Sequence, residues 1–317
     1  MLEYLILITG LIVLVVGAHY LVKGSSSLAR RLNIPALVIG LTVVAFGTSM
    51  PELLINLWAS GIGSSEIALG NIVGSNLINI LLILGMTSLI YSIRVKKSTI
   101  WKEIPFSLLA AVVLLVLAND FVLDKSVSLI SRVDGFVLLL FFLLFMYYTY
   151  ELALKREARV KVEIETFKSH IIAFMIIGGI LGVFVGGKLV VDGAVDIASG
   201  LGVSEFIISA TIVALGTSLP ELVTSIVAAL KKNVDLAVGN IVGSNIFNIF
   251  LVLGISSIVT PIEVASYLNF DLIAVIFATA ILFVFALWGK KWRLLRWQGA
   301  VLVTLYVIYL MMIIFRG

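Results

Sequence analysis

The chain has 317 residues, 61% hydrophobic and only 13% charged, with a mean hydropathy of +1.20; a soluble domain runs at about 45–50% apolar and about 25% charged, so a water-soluble fold is excluded. No cysteine is present, which removes disulfides, thiolate metal sites, Fe–S clusters and thiol nucleophiles, and the two histidines, His19 and His170, follow no metal-ligand spacing. The net charge of +4 sits in short loops between apolar segments, a membrane-topology pattern rather than a nucleic-acid-binding patch.

A helix crossing the hydrocarbon core takes about 20 mostly apolar residues. Ten such stretches occur in chain order, at 2–22, 36–60, 67–91, 104–120, 134–153, 170–191, 205–230, 236–260, 270–289 and 297–315. The expected fold class is therefore an all-α integral membrane protein with ten transmembrane helices. The first stretch lacks a basic leader and a small-residue cleavage site, so it reads as a retained span rather than a signal peptide. Of the 22 basic residues, 18 fall in the loops after odd-numbered spans, among them Lys23, Arg30, Arg31, Arg94, Lys155, Lys231 and Arg293. Only Lys125, Arg132, Lys188 and Arg316 fall on the other side. The excess of Lys and Arg on cytoplasmic loops then places both termini outside the cell membrane.

The sequence also matches itself at one constant offset, with Thr42 to Ser88 aligning without a gap on Thr211 to Ser257. G-T-S-M-P-E at Gly47–Glu52 answers G-T-S-L-P-E at Gly216–Glu221, and G-N-I-V-G-S-N at Gly70–Asn76 recurs unchanged at Gly239–Asn245. The flanks agree more weakly, as in Gly17/Gly186, Gly24/Gly193 and Leu32/Leu201. The chain thus divides into a first five-helix repeat (1–154), a cytoplasmic linker (155–169) and a second five-helix repeat (170–317). Five is odd, so the second copy enters the membrane from the opposite side and the two repeats have inverted topology. Loop charge agrees: Lys23 is answered by Asp192, and the loop after the sixth span carries Asp192, Asp196 and Glu205. Inverted repeats with a midplane site between interrupted helices are a recurring plan of secondary transporters.

Glu52 and Glu221 are the only acidic residues well inside the spans. A charge near the bilayer centre costs at least about 2.5–3.5 kcal/mol, so its default reading is functional, and here it occurs twice at equivalent positions. Pro51 and Pro220 precede the two glutamates and interrupt each helix. The carbonyls of Ala45, Thr48, Ala214 and Thr217 are expected to turn inward, and the hydroxyls of Thr48, Ser49, Thr217 and Ser218 add neutral oxygens. In the second motif, Ser75 and Asn79 lie four residues apart on one helical face, and Ser244 and Asn248 repeat that face. Asn76 and Asn245 are offset around the helix toward a neighbouring helix. Two carboxylates among many neutral oxygens describe a site for a hard cation.

These paired motifs resemble the alpha repeats of the calcium/cation antiporter superfamily, and most closely its prokaryotic sodium/calcium exchangers, over nearly the whole chain. The resemblance implies alternating-access exchange of Na+ for Ca2+, with no cofactor, in the cell membrane. It also implies a shared cation site of Glu52 and Glu221 as principal ligands, Thr48, Ser49, Thr217 and Ser218, the Ala45 and Ala214 carbonyls, and Ser75 with Asn79 and Ser244 with Asn248. Some relatives carry an acidic residue at the position of Asn248, a feature tied to K+ use, so Asn at both 79 and 248 implies potassium independence. The short linker leaves no room for a calcium-sensing regulatory domain. A calcium/proton exchanger remains the alternative reading, with a passive channel behind it. An intramembrane enzyme is disfavoured because no H-E-x-x-H, G-x-G-D or G-x-S-G lies in a span. Expected partners are Ca2+, Na+ and the lipid bilayer, with no nucleic acid and with the oligomeric state open.

Overall fold

The computed structural model describes residues 2–119, 128–154, 166–202, 214–288 and 292–316. Asp120, Asp124, Lys125, Lys155, Arg156, Arg159, Lys161, Glu205, Lys290 and Lys291, most of the linker and the start of the span expected at 205–230 lie outside these residues. The helices are α1 (Leu2–Leu32), α2 (Ala36–Thr48), α3 (Met50–Gly61), α4 (Ser65–Ile90), α5 (Lys97–Leu117), α6 (Arg132–Leu154), α7 (Ser169–Gly200), α8 (Leu219–Leu230), α9 (Val234–Val259), α10 (Ser266–Trp288) and α11 (Arg296–Arg316). Among the described residues, eight are long and apolar enough to cross a membrane, or nine when α2 and α3 are taken as one bent span.

Two helices outrun their expected spans. α1 has 31 residues and α7 has 32, about 46–48 Å each at 1.5 Å per residue. Arg30, Arg31, Asp192 and Asp196, expected in loops, are therefore helical. Apolar patterning marks where hydrocarbon ends, whereas backbone chemistry decides where a helix ends. α1 stops at Asn33, which adopts φ 57°, with Asn33 N bonded to Arg30 O and Ile34 N to Ala29 O, the paired bonds of a left-handed C-cap. The same cap closes α3 at Gly63 and α8 at Lys232, and Gly202 after α7 also has positive φ. Asn33 and Gly202, like Gly63 and Lys232, are equivalent positions of the two repeats, so the duplication persists in the backbone where side-chain identity has gone.

The connections form two clusters. At one, Arg31 donates to Phe167 O at 3.0 Å, Phe167 N donates to Ser27 Oγ, Lys231 donates to His19 O, and Lys96 pairs with Asp235 at 2.9 Å. Burial, with Lys23 nearby, pushes the Lys231 ammonium down to about 8. The antiparallel pair of β1 (Ile93–Arg94) and β4 (Arg293–Leu294) lies in the same cluster. At the other, β2 (Leu129–Ile130) pairs with β3 (Ile262–Glu263), Arg132 donates to Ile258 O, and Thr260 donates to Ser60 O. The connections after the first, third, fifth, seventh and ninth expected spans thus gather together, the arrangement that the Lys and Arg distribution requires. These two-residue ladders are the departure from an all-α chain; nothing in the sequence marks them, because each is fixed by packing between distant helices.

α4 and α9 are the most enclosed helices, and a cluster of Phe106, Phe141, Phe145, Phe247 and Phe250 packs around them. Outside this core, α1 and α7 run antiparallel along a glycine seam. A Cβ built on Gly17 would lie 2.7 Å from the Gly182–Val183 backbone, and one on Gly186 would lie 2.4 Å from Leu14 N. Gly10 and Gly24 on α1, and Gly179 and Gly193 on α7, meet the opposite helix as closely. Each glycine of one helix has its repeat equivalent on the other, so the seam pairs with itself as a two-fold contact does. Gly17→Val should force the helices apart and cost about 1–3 kcal/mol, read as a lower thermal midpoint in detergent. Gly178→Ala, with nothing within 4 Å of its Cβ, should leave the midpoint unchanged or raise it.

Candidate cation-binding site

The two G-T-S-x-P-E segments form the same local structure. α2 and α3 meet at a 46° bend. Ser49 there has φ −83°, ψ 9°, and Ser218 ahead of α8 has φ −90°, ψ 3°. Pro51 has no N–H, so the Gly47 carbonyl loses its helical partner. The Ala45 carbonyl is not released by the bend: it accepts from Ser49 N at 2.9 Å and from the Thr48 hydroxyl at 3.4 Å. Its counterpart Ala214 opens the short turn Ala214–Gly216, and Thr217 follows it, half-buried.

The bend sets each glutamate in the first turn of a new helix, where the positive end of the helix dipole favours a carboxylate. The order Ser-x-x-Glu is that of a capping box, yet neither Ser49 nor Ser218 caps its own helix. Each serine reaches across to the other repeat: Ser49 Oγ donates to Glu221 Oε1 at 3.1 Å and Ser218 Oγ to Glu52 Oε1 at 3.5 Å. Ser75 and Ser244 donate to the same oxygens, of Glu52 and Glu221 respectively, at 3.3 Å. Both carboxylates are fully buried, and no Lys, Arg or His faces them among the described ion pairs.

The second motif supplies the walls. α4 and α9 widen into π-helical turns at Ile78–Ile83 and Phe247–Leu253, which carry Asn79 and Asn248. Asn79 donates to Asn245 Oδ1 at 2.9 Å and Asn248 to Asn76 Oδ1 at 3.2 Å, so Asn76 and Asn245 turn to the neighbouring helix as their offset predicts. On the two glutamates and the two π-turn asparagines, four buried acceptors then have no hydrogen-bond donor: Glu52 Oε2, Glu221 Oε2, Asn79 Oδ1 and Asn248 Oδ1. They form two pairs, each made of equivalent positions of the two repeats.

Sequence reasoning passed over Asn71 and Asn240. Asn71 Nδ2 donates to Glu52 O and to Asn56 Oδ1, while Asn240 accepts from the Thr48 hydroxyl at 3.0 Å and donates to Ser225 Oγ. Their signal was present: Asn71, Ser75 and Asn79 repeat every fourth residue along one stripe, as do Asn240, Ser244 and Asn248. These asparagines tie the second motif to the bend of the first. Asn240→Ala leaves Thr48 and Ser225 without that partner and should cost about 1–3 kcal/mol, measured as a fall in thermal midpoint. Asn71→Ala, at a half-buried position, should cost less.

Residues 2–151 and 171–315 match the family model described as sodium/calcium exchanger protein. The sodium/calcium exchanger MaX1 of Methanosarcina acetivorans is 31% identical, with 99% of both chains covered. The putative antiporter CaxA of Alkalimonas amylolytica is 35% identical, with 95% of both chains covered. A solved structure of the sodium-calcium exchanger NCX_Mj, soaked with Na+ and Sr2+, superposes with a TM-score of 0.84 at 34% identity, covering 98% of this chain and 97% of that one. On its sequence, its membrane-helical fold and this structural match, the chain belongs to the sodium/calcium exchanger protein family.

Proposed function

We propose that the protein is a secondary antiporter that exchanges Na+ for Ca2+ by alternating access at one central site. The observation that carries this reading is the set of four donor-less buried oxygens on Glu52, Glu221, Asn79 and Asn248. A buried carboxylate with one free oxygen and no positive partner is costly, and a hard cation with oxygen ligands removes that cost. Ser49, Ser218, Ser75 and Ser244 each present a hydroxyl oxygen whose proton now points to a carboxylate. Rotating that proton away would turn each into a ligand. Thr48, Thr217 and the Ala214 carbonyl complete the assigned set from the bends, joined by the Ala45 carbonyl once the Thr48 hydroxyl turns away from it.

One Ca2+ neutralises the two carboxylates, and so do two Na+ ions, so either load lets the site pass through the low-dielectric interior. The empty site retains two buried negative charges and resists occlusion, which makes transport an exchange rather than a leak. The ten-span, inverted arrangement of repeats 1–154 and 170–317 is part of the same reading. The self-pairing α1–α7 seam and the repeated caps at Asn33/Gly202 and Gly63/Lys232 support it.

The two halves are not packed alike. α1 lies along α8, while its counterpart pair, α7 and α3, makes no comparable contact. α3 leads from the bend toward the end opposite the basic loops, where Ser60 meets Thr260. With the basic loops cytoplasmic and both termini outside, the less covered side of the site faces outward. Sliding of the α1–α7 pair across the site is then the movement that exposes the other side.

In sodium-loaded vesicles diluted into sodium-free medium at clamped pH, the protein should take up 45Ca2+. Glu52→Gln and Glu221→Gln should each reduce that uptake to background. Uptake indifferent to internal Na+ but driven by a proton gradient would replace this reading with calcium/proton exchange. External K+ should have no effect on the wild type. Asn248→Asp adds a third carboxylate and should make uptake respond to K+.

A further inference from the structure

The end of the molecule that gathers the basic connections carries a second polar feature with the opposite charge to the cation site. A cavity of about 470 Å³ is lined by Tyr91, Ser92, Arg94, Val234, Arg293 and Arg296. Its three arginines come from two connections far apart in sequence. The β1–β4 register sets Arg94 directly opposite Arg293, and like charges facing each other across a strand pair repel. Arg296 opens α11, at the end of a helix where a cation opposes the dipole.

Nearby acid does not relieve this concentration of charge. Asp235, in the first turn of α9, is engaged by Lys96 at 2.9 Å. Among the described residues, no ion pair is formed by Arg94, Arg293 or Arg296, and all three are exposed. The cavity floor is nevertheless fixed. Ser92 Oγ donates to Leu294 O at 3.1 Å, Val95 N to Trp292 O at 2.9 Å, and Gln298 Oε1 accepts from Leu295 N at 2.8 Å. Trp297, beside Arg296, and Trp101, at the start of α5, are 57% and 53% exposed. Exposed tryptophans at helix ends mark the depth of the lipid headgroups. A cavity that holds three guanidinium groups at that depth, against their mutual repulsion, matches a phosphate, whose oxygens accept paired N–H bonds from arginine.

We propose that this cavity binds the phosphate of an anionic phospholipid headgroup, held by Arg94, Arg293 and Arg296 with the Tyr91 and Ser92 hydroxyls at its rim. The lipid would bridge the connection after α4 to the one before α11, and so tie the two repeats together at the basic end. Basic pockets between helices at the cytoplasmic surface are suited to such headgroups. The assignment is independent of which ions the central site carries.

The test uses the full chain in mild detergent, with bound lipid counted by native mass spectrometry and stability followed by thermal unfolding. Phosphatidylglycerol, phosphatidylcholine and inorganic phosphate are added in separate arms. The wild type should retain phosphatidylglycerol about tenfold better than phosphatidylcholine, the factor that about 1.4 kcal/mol of charge-assisted bonding supplies. R94Q/R293Q should lose that preference, and R94K/R293K, which keeps the charge but not the paired donors, should fall between. K97Q/K168Q removes two exposed charges outside the cavity and should keep it. Without lipid, R94Q/R293Q should unfold no earlier than the wild type, because the facing charges are gone. Equal retention by R94Q/R293Q and wild type, or an equal loss in K97Q/K168Q, overturns the proposal. So does a thermal response to inorganic phosphate alone with no preference between lipids, which would assign the cavity to free phosphate.

Discussion

Two carboxylates sit in an apolar helix bundle with no positive side chain among the described residues to answer them, and much of the surrounding structure follows from that constraint. Glu52 and Glu221 are fully buried, so each needs donors supplied from within the protein. The nearest serine on its own chain segment would ordinarily cap the local helix. Here that serine crosses the pseudo-two-fold axis instead, Ser49 to Glu221 and Ser218 to Glu52. The exchange locks the two bends together: each glutamate takes one of its hydrogen bonds from a serine of the other segment. The asparagines continue this pattern, with Asn79 bonded to Asn245 and Asn248 to Asn76. A site divided in this way between two copies of one motif cannot be completed by either copy alone.

The surrounding helices serve this constraint in different ways. α9 presses closely on α2 because glycines remove the bulk between them. A Cβ on Gly40 would lie 2.6 Å from Leu236 O, and one on Gly243 would lie 2.9 Å from the Leu41 backbone. Asn56, Asn71, Asn76 and Asn240, which would be unpaired in lipid, are instead hydrogen-bonded inside the bundle. α1 and α7 stand apart from this core. Their seam brings backbone against backbone at the glycines, with Leu14, Leu21, Ile172 and Val183 buried alongside. A polar centre beside a glycine seam is what the proposed antiport would use, the one to hold the ion and the other to change access to it.

The charges at the two ends answer to a different constraint. The central motifs are preserved between the two matching segments, while charged positions outside them are not. Lys23 corresponds to Asp192, and Gly63 to Lys232. The left-handed caps at Gly63 and Lys232 survive the change, since a cap depends on backbone conformation more than on side-chain charge. At the basic end there is an excess of arginine over acid around β1 and β4, which no ion pair among the described residues neutralises.

Composition and hydropathy by themselves determined that this is a membrane protein of many helices, because a chain so apolar has no soluble alternative. The fixed offset at which the sequence matches itself determined that it is two copies of one unit. The pairing of Pro with Glu in both copies singled out the two buried carboxylates around which the proposed site is drawn. Those features are local or periodic, so a linear reading captures them. Tertiary structure decided the rest. That α1 and α7 run well beyond their apolar stretches depends on where a backbone cap forms. That Ser49 and Ser218 serve the opposite repeat, and that Asn71 and Asn240 bind the bends to the second motif, depends on which helices lie side by side. The meeting of Arg94 with Arg293, from opposite halves of the sequence, has the same cause: spacing along a chain specifies which face a residue occupies, and only packing specifies what that face meets.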